Sequence, residues 1–138
     1  MSERLNGREQ LEFTAPLEAL IGVRGVVGGM VATEEGLPLA ARLGSELDEE
    51  GLAAAAAAVG GLASKTLIDL GRGDLEVAVL DASKFRFLVQ PIAVGYLLVV
   101  AEPDANVGRI VTKMTDAAAT LEETAADLVE PRVAQHEG

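Results

Sequence analysis

The sequence lacks the residue types on which most covalent and metal catalysis depends. It has 138 residues with no cysteine, which excludes disulfides, thiolate metal sites and cysteine nucleophiles. The single histidine, His136, lies among the last residues, where a fixed catalytic geometry is not expected. Ser64-Lys65 and Ser83-Lys84 are poor nucleophile–base pairs, because adjacent helix residues do not face each other and the second pair lies in a predicted turn. We therefore predict no catalytic residues and a protein that is not an enzyme.

Basic and aromatic residues are also scarce. The chain has 11 Lys and Arg against 22 Asp and Glu, for a net charge of −11, which opposes binding to nucleic acid or anionic lipid. Only 3% of the residues are aromatic, so the core must be aliphatic. No apolar run is judged to approach the ~20 residues of a membrane span, and no signal peptide is recognised. A single cytoplasmic domain without membrane insertion is expected.

Two kinds of motif that commonly bind ligands are incomplete in this sequence. The carboxylates of Glu34-Glu35 and Asp48-Glu49-Glu50 lack the spacing of a calcium loop and suit a turn and a helix start. The glycines of Gly22-Val23-Arg24-Gly25 and Gly28-Gly29 match neither the dinucleotide fingerprint nor the P-loop. We therefore predict no metal or cofactor, and the chain is not expected to be a GTPase itself.

Hydrophobic periodicity predicts three helices and five strands. A short first helix is expected to start near Ala15, with Pro16 in its first turn. The fourth strand is expected to end at Pro91. The remaining elements, in chain order, are strands at Val26–Ala32 and Leu37–Leu43, a helix from Glu49 to Leu70, strands at Leu75–Leu80, Phe85–Val89 and Tyr96–Ala101, and a helix from Val107 to Leu128.

Short connections between neighbouring strands favour antiparallel pairing. The predicted fold is therefore a single α+β domain of the wider α/β class, in the order α-β-β-α-β-β-β-α, with helices on the faces of a five-stranded sheet. Residues 1–10 are expected to form a flexible arm and residues 129–138 a disordered tail.

The second helix carries the most informative pattern, because alanine and glycine fill most of residues 52–64. One apolar stripe, expected to face the sheet, consists of Leu52, Ala56, Val59, Ala63, Leu67 and Leu70. A second stripe contains only small residues: Ala53, Ala57, Gly60 and Ser64. Glycine inside a helix costs about 1 kcal/mol relative to alanine, and this cost is accepted mainly where another backbone comes close. The small-residue stripe faces either the chain's own sheet or a second copy, and a homodimer is the favoured interpretation. Glu76, Ala78 and Leu80 are assigned to the partner side of the third strand in that dimer.

Five segments of the sequence follow one another in a distinctive order and spacing: Gly22–Val26, Glu35–Ala40, the alanine-rich helix, Gly71-Arg72-Gly73 and Asn106-Val107-Gly108. Together they resemble the roadblock (dynein light-chain) family, including its bacterial members that regulate small Ras-like GTPases. The resemblance covers residues 11–128 and departs from the family at two turn positions, Thr33 and Lys84. It implies the strand order 2-1-5-4-3 and a homodimer in which third strands pair and central helices pack antiparallel.

The resemblance implies a non-catalytic homodimeric binding module that regulates or scaffolds a small Ras-like GTPase. An alternative is a dimeric structural scaffold that links larger complexes without a GTPase, and a small-ligand sensor is a third class. If the chain supplied an arginine finger to a GTPase, the candidates at element ends would be Arg24, Arg42, Arg72 and Arg109. No pattern in the sequence selects one of them.

Overall fold

The structure, a computed structural model, describes residues 7–129 and, within that range, the side chains of residues 12–126. The element order is that expected from the sequence. The elements are α1 (Gly7–Ile21), β1 (Val26–Thr33), β2 (Pro38–Leu43), α2 (Glu49–Asp69), β3 (Ala78–Asp81), β4 (Arg86–Ile92), β5 (Gly95–Ala101) and α3 (Val107–Val129).

The five strands form one sheet in the order β2-β1-β5-β4-β3, and every neighbouring pair is antiparallel. The α+β fold and the strand order implied by the family resemblance are therefore confirmed. The strand β5 lies at the centre, which explains why Leu97–Ala101 is apolar on both sides. All five of these residues are at most 1% exposed.

The helices cover the two faces of the sheet unequally. On one face, α1 and α3 bury the larger cluster, in which Phe13, Leu17, Met114 and Leu121 are at most 1% exposed. On the other face, α2 is the one helix of the described chain that covers the smaller cluster, to which it contributes Leu52, Ala53 and Ala56. The second face is therefore covered by one helix with small side chains, and this leaves part of the sheet and helix on that side uncovered.

The first helix is longer than predicted. It begins at Gly7 rather than near Ala15, and Pro16 lies inside it. Proline cannot donate the intrahelical hydrogen bond to the residue four positions earlier, but burial of Phe13, Leu17 and Leu20 to 0–1% exposure holds both halves against the sheet. Residues 7–10 are therefore helical, whereas most of the predicted arm (1–6) and tail (130–138) lies outside the described residues.

The edge strand β3 is shorter, and β4 longer, than predicted. The pairing of β3 with β4 starts at Ala78 opposite Val89, and β4 continues through Pro91 to Ile92. Extending this register would place Glu76 opposite Pro91, which has no N–H to donate to a ladder. The prediction that Pro91 ends β4 was wrong, because beyond Val89 this strand pairs only with β5 in the described chain.

The first hairpin has the predicted turn. Gly36 has a φ of +93°, the left-handed conformation that favours glycine. The Thr33 hydroxyl oxygen accepts the N–H of Leu37 at 3.0 Å, while the Gly36 N–H donates to the Thr33 carbonyl at 3.0 Å. Thr33 is one of the two positions where the sequence departs from the family pattern, and its hydroxyl therefore stabilises the turn.

Candidate functional site

The C-terminal half of α2 carries large apolar side chains that nothing in the described chain covers. Leu62 is 69% exposed and Ile68 60%, and Leu70, the residue that follows the helix, is 65% exposed. The buried residues of α2 are Leu52, Ala53, Ala56 and Gly60, and none of them lies beyond Gly60. The helix therefore packs on the sheet mainly through its N-terminal part, and its C-terminal part leaves apolar side chains exposed.

The adjacent edge strand β3 has uncovered apolar side chains on both of its faces. Leu80 lies opposite Phe87 and points to the α2 side, whereas Val79 lies opposite Leu88 and points to the α1–α3 side. Leu80 is 40% exposed and Val79 42%. A strand with both faces partly uncovered and a free edge is suited to extension of the sheet by another strand.

Together, α2 and β3 form an apolar groove with a volume of about 420 Å³, here named the α2–β3 groove. Among the described residues that line it, only Thr66 has a polar side chain, and its hydroxyl donates to the Leu62 carbonyl at 2.7 Å. The groove therefore presents apolar surface and no group suited to acid–base or metal chemistry. Its lining residues are Val59, Leu62, Ala63, Thr66, Leu67, Ala78 and Leu80.

The structure divides the predicted small-residue stripe between two environments. Ala53 is 0% exposed and belongs to the chain's own core. A Cβ at Gly60 would lie 2.6 Å from Cδ1 and 2.8 Å from Cζ of Tyr96, so glycine is required where the helix crosses this ring. Ala57 and Ser64 are half-buried. At Ala53 and Gly60, therefore, α2 approaches the chain's own sheet, which is the alternative that the sequence left open beside a dimer contact.

The three predicted residues of β3 also differ in their placement. Ala78 and Leu80 line the α2–β3 groove, as expected for a side that accepts a partner. Glu76 is exposed and precedes the strand. The prediction missed Leu62, which the alanine-rich pattern around it obscured. It also assigned Leu70 to the sheet-facing stripe, although this residue follows the end of α2 and is 65% exposed.

A second cavity, of about 610 Å³, lies between the α1–β1 loop and the β5–α3 loop, and we call it the polar cavity. It brings together Arg24 and Arg109, two of the candidate arginine fingers, with Glu102 and Asp104. Asn106 caps α3, since its Oδ1 accepts the Arg109 N–H at 3.0 Å. The two basic and two acidic side chains leave this cavity without a dominant charge.

The other two candidate arginines lie elsewhere. Arg42, on β2, forms an ion pair with Glu18 of α1, and Arg72 is exposed in the segment after α2. The four arginines thus do not converge on one site. Among the residues that the structure describes, no three His, Cys, Asp or Glu side chains are grouped so that they could hold a metal ion.

The helix α2 meets the length and composition criteria for a membrane span, contrary to the prediction that no run approaches that length. An 18-residue stretch of the helix is apolar enough, and 17% of that stretch is buried. Alanine and glycine make the stretch apolar with little side-chain volume, and Leu52, Ala53, Ala56 and Gly60 are buried against the sheet. A single helix of this kind is weak evidence for a membrane, and its low burial shows how much apolar surface it leaves uncovered.

Comparison with known protein families gives a match over most of this fold. A profile of the Roadblock/LC7 domain matches residues 15–102, from within α1 to just after β5. Two curated proteins of Methanocaldococcus jannaschii, described as uncharacterized proteins MJ0310 and MJ1340, are each 32% identical over 94 residues. Those 94 residues are 68% of this chain and 82% of each relative.

Solved structures with the same fold come from several bacteria. A Roadblock/LC7 domain from Streptomyces avermitilis is 18% identical with a TM-score of 0.72, over 79% of this chain and 93% of that one. The gliding protein MglB from Thermus thermophilus is 17% identical with a TM-score of 0.78, over 90% and 96%. MglB from Myxococcus xanthus is 13% identical with a TM-score of 0.81, over 91% and 96%. At these identities the likeness establishes the fold.

Proposed function

The chain belongs to the Roadblock/LC7 domain family, and on that premise we propose that it is a homodimeric binding module that regulates or scaffolds a small Ras-like GTPase. The sequence resembles bacterial members of the family that regulate such GTPases, and MglB proteins are among those that share its fold. The observation that carries the proposal is the uncovered α2–β3 groove beside a free sheet edge.

The character of this surface supports the proposal of a non-catalytic role. The groove is apolar, and its one hydroxyl, on Thr66, is engaged with its own helix. Exposed apolar side chains of this size, contiguous with a free strand edge, are typical of surfaces that bind other proteins. We infer that the protein acts by holding partners together and, if it accelerates GTP hydrolysis, by ordering the switch loops of the GTPase.

A second copy of the chain is the first partner that we propose for the groove. A two-fold axis beside β3 would pair the two edge strands and bring the C-terminal half of each α2 next to the other copy. This arrangement covers Leu80 and Leu62 on the α2 side and Val79 on the other side. The flanking residues Ala57 and Ser64 are small, which allows the second helix to approach closely.

The functional partner that we propose is a small Ras-like GTPase. Co-elution and single-turnover GTP hydrolysis with Ras-like GTPases from the same organism test this proposal. We expect at least one GTPase to co-elute with the chain and to change its hydrolysis rate or its nucleotide retention. Leu80→Glu should weaken this effect by disrupting the dimer. Ala119→Glu, on the exposed side of α3 across the sheet, is the matched control and should leave the effect unchanged.

The scaffold alternative makes a different prediction in the same experiment. If the chain dimerises but neither binds any such GTPase nor changes its turnover, the GTPase part of the proposal is contradicted. Stable capture of components of a larger complex under these conditions would then favour the dimeric scaffold.

A further inference from the structure

Arg86, the first residue of β4, connects the free sheet edge to the loop before α3. Its side chain is only 19% exposed, and its Nε forms an ion pair with the carboxylate of Asp81. Its Nη1 donates to the carbonyl oxygen of Ala105 at 2.7 Å. One guanidinium therefore contacts both the last residue of β3 and the β5–α3 loop.

The carbonyl that Arg86 contacts belongs to a wall of the polar cavity. Ala105 is 8% exposed, and its N–H donates to the Glu102 carbonyl at 3.0 Å. The Glu102 N–H in turn donates to the Gly25 carbonyl at 2.8 Å. This series of hydrogen bonds joins the two loops on either side of the cavity, so the position of the Ala105 carbonyl affects the shape of the cavity.

The other end of the contact is open to water. The Asp81 side chain is 62% exposed, so its attraction to Arg86 is weakened by water and salt. A strand added to the edge would lie about 4.8 Å from β3 and would cover part of this carboxylate. Attraction between opposite charges rises as the effective dielectric constant falls, and the cost of desolvation falls mainly on Asp81, because Arg86 is already largely buried.

We propose that Arg86 is a positioning residue that couples covering of the β3 edge to ordering of the β5–α3 loop and of the polar cavity. This inference rests on the proposed function, because it requires a partner strand on that edge. The geometry of the polar cavity, which lies away from the α2–β3 groove, would then depend on whether the groove and the β3 edge are occupied.

Amide hydrogen exchange of the full chain, measured below and above the dimerisation midpoint found by sedimentation, tests the coupling. We expect the Ala105 and Glu102 amides to exchange about fivefold more slowly in the dimer, the factor that corresponds to one ordinary hydrogen bond. Arg86→Met should abolish this difference while dimerisation persists. Arg42→Met is the matched control, since Arg42 forms an ion pair at the opposite edge strand, and it should keep the difference.

Asp81→Asn provides a milder variant, because asparagine has the same shape and keeps an oxygen that can accept a hydrogen bond from Arg86, whereas the negative charge of the ion pair is lost. It should reduce the fivefold difference without removing the Arg86 contact to Ala105. A wild-type dimer whose loop exchanges as fast as the monomer would overturn the coupling alone, as would an Arg86→Met dimer that keeps the full difference. A chain that stays monomeric at every concentration would overturn the proposed dimer and the coupling with it.

Discussion

Two neighbouring glycines in α2 should respond in opposite directions to the same substitution. A methyl group at Gly60 would lie 2.6 Å from Cδ1 of Tyr96, about 1 Å inside an ordinary carbon–carbon contact. Forcing such a group into a packed site costs roughly 1–3 kcal/mol, and the higher helix propensity of alanine returns about 1 kcal/mol. We expect Gly60→Ala to lower the free energy of unfolding by about 1 kcal/mol.

Gly61 is the matched control, because it lies on the exposed side of the same helix. A methyl group there would meet the Tyr96 hydroxyl oxygen at 3.9 Å, an ordinary contact. Gly61→Ala should therefore raise the free energy of unfolding by up to about 1 kcal/mol. Urea denaturation at one fixed protein concentration measures both variants, since dimerisation would otherwise shift the result. In a protein of this size the two melting temperatures should differ by roughly 6–8 °C.

A double-mutant cycle with Tyr96→Ala isolates the cause of the difference. Removing the ring should relieve the clash, so that Gly60→Ala becomes neutral or stabilising in that background. If Gly60→Ala stabilises the wild-type chain as much as Gly61→Ala does, the proposed clash with the Tyr96 ring does not exist. An unchanged penalty of Gly60→Ala in the absence of the ring would also contradict this clash.

Two further substitutions test the corrected first helix and the first hairpin by urea denaturation. Pro16→Ala should restore an intrahelical hydrogen bond and remove the roughly 3 kcal/mol penalty of proline inside a helix. The loss of buried ring carbons offsets part of this gain. We therefore expect a net stabilisation of about 1 kcal/mol. A marked loss of stability would instead show that the proline is required for the path of α1. Thr33→Val removes the acceptor for the Leu37 N–H and should cost about 1 kcal/mol, whereas Thr33→Ser keeps the hydroxyl and should cost less; equal losses would contradict the role of the hydroxyl.

Local patterns predicted the element order because each element has its own signal. The alternation of the strands, the positive φ at Gly36 and the long amphipathic α3 all follow from neighbouring residues. The start of α1 did not, since the cost of Pro16 is offset by burial of Phe13 and Leu17 in a core formed by distant segments. The same limit applies to Pro91, whose place in β4 depends on where β3 stops pairing.

The candidate site was predicted in part, and the missing part has a physical cause. Leu80 and Ala78 were assigned to the partner side from strand alternation alone, and the structure places them in the groove. The small residues of α2 signalled a close approach correctly, but periodicity cannot say which of two surfaces approaches. The ring of Tyr96, 36 residues away along the chain, occupies the space at Gly60, and only tertiary packing reveals that.

Sedimentation equilibrium of the wild type, Leu80→Glu and Ala119→Glu over a concentration series measures whether a second copy covers the α2–β3 groove. Placing a carboxylate in the covered groove should cost about 2 kcal/mol or more per copy, and the two-fold symmetry doubles this, so dissociation should be at least ~1,000-fold easier. We predict a wild-type mass of twice the 14.3 kDa of one chain, the same mass for Ala119→Glu, and a folded monomer for Leu80→Glu. A wild-type monomer at all concentrations, or a Leu80→Glu dimer of unchanged affinity, would contradict this prediction.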